Sequence, residues 1–252
     1  MYIAIIIFII GTILGSFYLV IATRLPKEED VIFSRSHCDA CHQTLKWYNL
    51  IPILSYIIQK GKCSYCHQPI SFDNLVVELA TGILFLFTYL YLPFGYELFG
   101  GLIVSSLMII IFISDFKYMI ILDSPLIITS ILIIILKYYY FGLSNVLSSI
   151  ASGIVLFFMM LFVAKFGGFM LKKESLGGGD IKLAFVIGLI LGLRLGLIAL
   201  ILSTFLALPY ALTTLYLAKN HEFPYGPFLV GALFIVFFTA EKFLNLFHFL
   251  FI

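Results

Sequence analysis

Two carboxylates at the ends of apolar stretches and two pairs of cysteines carry the chemistry open to this chain. Asp180 closes the run Gly177-Gly178-Gly179-Asp180, and Asp115 closes Ile111-Phe112-Ile113-Ser114-Asp115. An ionised acid set against hydrocarbon costs about 2.5 kcal/mol or more, so acids at such positions serve as buried partners, relays or catalysts. Carboxylates presented by two different helices at one membrane depth can face each other and share a proton, because adjacent carboxylates resist joint ionisation. The ionised member can then activate water while the protonated one polarises a peptide carbonyl, which is acid–base hydrolysis. The glycines before Asp180 permit a tight turn and a close approach to another chain segment. A plainer reading stays open: Asp180 could simply cap the helix that follows it. Asp123 is the better cap candidate, since Asp123-Ser124-Pro125 puts proline in a first helical turn. Glu78, with Thr81 and Gly82 one turn on, is either a buried polar contact or part of the site. Glu97 and Glu241 adjoin apolar stretches at the opposite end.

Cys38-Asp-Ala-Cys41 and Cys63-Ser-Tyr-Cys66 form two CxxC pairs separated by 21 residues. Two turns that each present two thiolates can converge on a tetrahedral Zn²⁺, and a closed Cys₄ shell leaves no open catalytic position. The alternative is a pair of disulfides or free thiols, which a reducing cytoplasm disfavours. His37, His42 and His67 flank the cysteines; one could replace a ligand, but they are expected beside the metal. An insert of about 50 residues has little core of its own, so the metal is expected to supply folding energy.

The elements that position these groups are membrane helices. The chain is 62% hydrophobic and only 11% charged, with a mean hydropathy of +1.13, far more apolar surface than a soluble core buries. A bilayer core asks for about 20 apolar residues per helix. Eight stretches approach that length: 2–23, 74–93, 98–115, 124–141, 144–171, 181–193, 195–218 and 226–250. The sixth, at about 20 Å for a rise of 1.5 Å per residue, reads as a partial span. The expected fold is therefore an all-α polytopic membrane protein of about eight helices. Its parts are a first transmembrane helix (1–23), a cytoplasmic Cys₄ zinc-binding insert (24–73) and a helical membrane domain carrying the aspartate pair (74–252). No repeat of fixed period is evident.

Basic residues orient the chain, because cytoplasmic loops keep an excess of Lys and Arg. With the insert inside, Arg24, Lys27, Arg35, Lys46, Lys60, Lys62, Lys117, Lys165, Lys172, Lys173, Lys182 and Lys219 share its side, against Lys137, Arg194 and Lys242 outside. The N-terminus is then external, and both acids face the cytoplasm. The first stretch has no basic residue before it and Arg24 after it, so it is expected to be a retained anchor rather than a cleaved signal. A net charge of +2 gives no reason to expect nucleic acid.

Taken in order, these residues resemble the bacterial type IV prepilin peptidases, aspartic proteases of the GxGD type. Gly15-Ser16-Phe17 with Arg24-Leu25-Pro26 is similar to the family's first-span signature, although Leu19 stands where an asparagine is usual. The four cysteines, Asn49-Leu50-Ile51-Pro52 and Ser55 match its cytoplasmic segment, and Glu78-Leu79-Ala80-Thr81-Gly82 its second span. The stretch from Asp115 to Asp123 resembles the first aspartate motif, Glu174-Ser175-Leu176-Gly177-Gly178-Gly179-Asp180-Ile181-Lys182 the second, and Pro224-Tyr225-Gly226-Pro227-Phe228 the C-terminal motif. The resemblance implies that Asp115 and Asp180 are the catalytic pair, supported by Gly177, Gly178, Gly179, Lys182, Glu78 and Asp123. It implies a multi-pass enzyme of the bacterial plasma membrane that works among lipid and cuts the basic leader of prepilins or pseudopilins on the cytoplasmic face. N-methylation of the new terminus with S-adenosylmethionine as donor would follow. Type IV pili, protein secretion and competence are the systems this implies. Three alternatives are a peptidase without methyl transfer, a non-enzymatic zinc-bound scaffold for pilus assembly, and a transporter using the acids as relays.

Overall fold

The computed structural model describes residues 2–31, 34–38, 40–171, 176–217, 223–240 and 243. Lys172, Lys173, Glu174, Ser175, Lys219, Glu241 and Lys242, which figure in the charge count or the motifs above, lie outside the described residues. So does most of the last predicted stretch beyond residue 240. The elements in order are α1 (Tyr2–Arg24), 3₁₀ turns at Leu25–Lys27 and Trp47–Leu50, α2 (Leu54–Ile58), α3 (Phe72–Tyr91), α4 (Tyr96–Tyr118), α5 (Asp123–Leu171), α6 (Gly178–Leu217) and α7 (Gly226–Phe238). Five of them, α1, α3, α4, α5 and α6, are long and apolar enough to cross a membrane, and α7 is a shorter apolar helix.

Two of the long helices are interrupted. Gly142 (φ 76°) breaks α5 and Gly192 (φ 77°) breaks α6, each in a left-handed conformation that only glycine adopts at no steric cost. The chain reverses at both. A Cβ on Gly196 would lie 3.6 Å from the Cα of Gly188, whereas eight residues of continuous helix separate Cα atoms by about 12 Å. Likewise Lys137 Nζ donates to Ser149 Oγ at 2.8 Å, across a sequence gap that a straight helix would stretch to about 18 Å.

The chain divides into two units, Met1–Pro93 and Phe94–Ile252. In the first, α1 packs on α3 through small residues: a Cβ on Gly11 would come within 2.9 Å of the Gly82 Cα, and one on Gly15 within 2.7 Å of Thr81 Oγ1. Where hydrocarbon surrounds the helices, such close backbone approach replaces the hydrophobic drive of a water-soluble core. Ser71 caps α3 by accepting from the Asp73 N–H at 3.3 Å.

In the second unit the core runs along the first half of α6. Ile181, Leu183, Ala184, Val186, Ile187, Leu189 and Ile190 are all buried, so this segment, with Lys182 as its exposed polar exception, packs against α5 and α7. Its end has an unusual cap. The Leu189 carbonyl loses its i+4 partner to the break at Gly192 and accepts instead from Lys137 Nζ at 2.8 Å. Lys137, expected as an external flank, is buried at 6% exposure because it satisfies this carbonyl.

Candidate aspartate site and thiol cluster

Asp115 stands in the last turn of α4, where the helix dipole disfavours an acid. Its backbone carbonyl accepts from the N–H of Met119, which ends the helix in the left-handed region at φ 53°. Its side chain is compensated by another helix. Gly226 opens α7, and its N–H, one of the four that every helix start leaves unpaired, donates to Asp115 Oδ2 at 2.9 Å. Nothing larger than glycine fits there, since a Cβ on Gly226 would lie 2.8 Å from Asp115 Oδ2 and 2.9 Å from Ile121 Cδ1.

Asp180 lies in the first turn of α6, with Gly177 before the helix; its N–H donates to the Gly177 carbonyl at 3.2 Å. It does not occupy the cap position, so the bare-cap reading gives way to a carboxylate in the first turn, where the dipole favours it. Both acids are buried, Asp115 at 5% and Asp180 at 8% exposure. Among the described residues Asp180 Oδ1 has no hydrogen-bond partner, and Asp115 lies within electrostatic reach of it. The two line one cavity of about 980 Å³ with Gly177, Gly179, Thr204 and Tyr225. The rest of its wall is apolar, including Met159, Met160, Val163, Leu197 and Leu200.

Of the two uses expected of the triple glycine, a tight turn and a close approach, the close approach is the one Gly179 makes. None of the three has a positive φ. Gly179 is needed for contact, because its Cβ would sit 2.7 Å from the Cβ of Ile121; on Gly177 it would sit 3.2 Å from Asp180 Oδ2. At Gly178 a Cβ would meet no atom of the described residues within 4 Å. Of the other expected supports, Lys182 and Asp123 pair with each other, Nζ to the two carboxylate oxygens at 2.7 and 2.8 Å. Both are more than half exposed, so the pair ties α6 to α5 with about 0–1 kcal/mol. Neither lines the aspartate cavity.

Glu78 belongs to the first unit. It is buried on α3, accepts from the Ile53 N–H at 2.7 Å and bonds Ser16. Through that contact it fixes the start of α2, where Ile53 is held at φ 63°. Glu78 also lines a cavity of about 250 Å³ with Ser16, Asn49, Gln59 and Asn74. Asn49 Nδ2 there is buried without a partner among the described residues.

The four cysteine sulfurs lie within 4.8 Å of one another, and Cys38 Sγ is 3.8 Å from Cys66 Sγ. Zn–S bonds of about 2.3 Å at tetrahedral angles set sulfur atoms about 3.8 Å apart, so the cluster can hold such a metal. The N–H groups of Cys66 and Tyr65 pull the Cys63 thiol down to about 7. Cys66, although the Gln68 N–H draws it downward, is pushed up to about 12 by burial and the thiols of Cys41, Cys63 and Cys38. A cation bound by the four sulfurs would favour their thiolate form. The pairs are built alike. His42 donates its N–H to the Cys38 carbonyl and His67 to that of Cys63, both histidines in the left-handed region. Cys-x-x-Cys-His-Gln therefore recurs at 38–43 and 63–68, a repeat visible in the sequence but overlooked when only long periods are sought. His42 and His67 serve as turn residues.

Comparison with known proteins matches residues 9–92 to the bacterial peptidase A24 N-terminal domain and residues 102–212 to the type IV leader peptidase family. A prepilin leader peptidase/N-methyltransferase of Bacillus subtilis is 34% identical over 95% of this chain and 96% of its own length. The chain belongs to the type IV leader peptidase family. Further members bearing the same name occur in Vibrio cholerae, 30% identical over 92% of this chain and 95% of the relative, and in Klebsiella pneumoniae, 33% identical over 73% and 83%. No solved structure matches the chain. The boundary between the two family regions falls near the boundary between the two units.

Proposed function

We propose that this protein is an intramembrane aspartic endopeptidase that removes the short leader of type IV prepilins or pseudopilins, and then methylates the exposed N-terminus with S-adenosylmethionine. The observation that carries the reading is the pair of buried acids, Asp115 from α4 and Asp180 from α6, lining one largely apolar cavity. The relatives' names, which couple leader peptidase with N-methyltransferase, support both activities.

In this reading the carboxylate of one aspartate takes a proton from water as the water oxygen attacks the scissile carbonyl, and the protonated partner donates to the departing amine. Asp115, fixed by the Gly226 N–H, is suited to hold one constant geometry. Asp180, with an unpartnered oxygen, is free to bind water or substrate. The apolar wall suits the hydrophobic segment that follows a leader. Eight membrane segments result when the reversals at Gly142 and Gly192 each divide a long helix in two. The N-terminus is then external, the acids face the cytoplasm, and the enzyme is a multi-pass protein of the bacterial plasma membrane. The insert at 24–73 is a cytoplasmic zinc-binding element whose Cys₄ metal is structural, and residues 74–252 form the helical membrane domain.

S-adenosylmethionine supplies an electrophilic methyl group on a cationic sulfur. The cavity beside Glu78 suits that charge through the Glu78 carboxylate, with Gln59 and Asn74 as further polar groups, while Asn49 Nδ2, a donor without a partner among the described residues, suits an acceptor atom of the methyl donor. At about 250 Å³ it is smaller than usual small-molecule sites of about 300–1,000 Å³, so it would seat the sulfonium end of the donor. The test is incubation of purified protein with a prepilin peptide, with and without S-adenosylmethionine, read by mass. Loss of the leader and gain of one methyl group are separate outcomes. Asp115→Asn and Asp180→Asn should each abolish cleavage while the protein still inserts and binds zinc. Retained cleavage would leave a scaffold role as the better account.

A further inference from the structure

Tyr225 lines the aspartate cavity immediately before Gly226, whose N–H holds Asp115. Its hydroxyl lies 2.7 Å from Ser203 Oγ and within electrostatic reach of Asp180. Ser203 is fully buried on α6 and has one proton, which it donates to the Leu200 carbonyl at 2.7 Å. While that bond stands, Tyr225 must donate to Ser203. If Ser203 turns its proton to the phenol oxygen instead, Tyr225 is released to donate into the cavity. The other side-chain hydroxyl that the described residues place in that wall, Thr204, gives its proton to the Ile201 carbonyl at 2.7 Å.

We infer that Tyr225 is a further catalytic residue of the peptidase, donating a hydrogen bond to the substrate carbonyl oxygen as it becomes tetrahedral, with Ser203 as the positioning residue that releases the phenol proton. The inference rests on the proposed peptidase reading. Attack of water forms one C–O bond and moves the carbonyl π pair onto oxygen, while the water proton passes to the ionised aspartate. Tyr225 stabilises that oxygen by a hydrogen bond and keeps its own proton. A donor aimed at developing negative charge acts mainly in the transition state, so its loss appears in kcat.

The experiment compares cleavage kinetics of wild type, Tyr225→Phe and Ser203→Ala on one prepilin peptide, with fluorotyrosines of graded acidity placed at position 225. Phenylalanine keeps the ring and its edge contact with Phe223, so the hydroxyl alone is tested. Expected is a fall in kcat of about 100-fold for Tyr225→Phe, the usual scale for one lost oxyanion donor, with KM within threefold. Ser203→Ala should cost less than fivefold, since the phenol remains. The fluorotyrosine series should show kcat rising with phenol acidity. A Tyr225→Phe enzyme within threefold of wild type, a loss confined to KM, or a flat fluorotyrosine series would each overturn the assignment. A wild-type protein that does not cleave overturns the peptidase reading and this one with it, whereas an active wild type with an active Tyr225→Phe variant removes only the role of Tyr225.

Discussion

Alanine scanning of Gly177, Gly178 and Gly179 separates three roles that the sequence presents as one motif. An added methyl at Gly179 would lie 2.7 Å from the Cβ of Ile121, an atom every residue but glycine carries. No trimming of Ile121 short of glycine removes that clash, so the backbone of α6 must shift against the segment that follows α4. Overpacking of this kind costs about 1–3 kcal/mol. Because Asp180 is the next residue, the shift moves the carboxylate, and a displacement near 1 Å costs about 100-fold in rate. At Gly177 the methyl meets only Asp180 Oδ2, at 3.2 Å, which a side-chain rotation relieves. That variant should lose about tenfold in kcat with its melting temperature unchanged. At Gly178 the methyl meets none of the described residues, and alanine should leave cleavage within about threefold. The assay is leader removal from a prepilin peptide by mass, alongside thermal unfolding in detergent and metal content per chain. If Gly178→Ala proves the most damaging of the three, or if Ile121→Ala restores the Gly179→Ala enzyme, the contact argument is wrong.

Other consequences follow from the same geometry. Gly226→Ala crowds Asp115 Oδ2 at 2.8 Å and disturbs the N–H that holds it, so cleavage should fall by about 100-fold while the metal content stays the same. A shared-proton pair requires one acid ionised and one protonated, so kcat/KM should trace a bell against pH, falling on the acid side as both acids protonate and on the alkaline side as both ionise; a flat profile would count against the pair. Chelation of the metal, or Cys63→Ser, should open the segment between α1 and α3 to proteolysis while α4 to α7 keep their helicity by circular dichroism. Glu78→Gln should weaken S-adenosylmethionine binding in calorimetry by about tenfold or more while leader cleavage persists; unchanged affinity would remove the Glu78 cavity as the donor site.

Spans and acids were legible in the sequence for one reason: both are defects in a uniform background. An apolar run announces a helix, and a carboxylate at its end announces itself, so Asp115 and Asp180 stood out without any knowledge of what lay opposite them. The thiol cluster was legible through its spacing. What was hidden depended on a third element. The breaks at Gly142 and Gly192 fall at or beside the divisions between stretches 124–141 and 144–171 and between 181–193 and 195–218, yet which glycines reverse the chain, and which, like Gly153 and Gly188, are small because a neighbouring backbone lies against them, needs the packed helices to tell. Lys137 looked like a flanking charge because its acceptor, the Leu189 carbonyl, is supplied by a break 55 residues further on. Asp123 and Lys182 were counted with the catalytic motifs, yet their contact is with each other at the surface.

The two aspartates differ in a way that bears on how the site works. Asp115 ends a helix, the electrostatically poor end for an acid, and its carboxylate is held by the start of another helix, α7. Asp180 begins a helix, the favourable end, and has one oxygen with no partner among the described residues. One acid is thus immobilised by the protein, and the other is stabilised by its own helix yet left unsatisfied toward the cavity. Leaving a buried acceptor unpaired costs about 1–3 kcal/mol, and occupation of the site by water or a substrate N–H removes that cost. Ser149→Ala tests the other end of the same helix. It leaves the buried Lys137 ammonium with the Leu189 carbonyl as its one remaining partner among the described contacts, which should destabilise the second unit by about 1–3 kcal/mol. If that loss also lowers cleavage in proportion, the Lys137 cap sets the axial position of Asp180. If stability falls and kcat does not, the position of Asp180 is set by its own first turn.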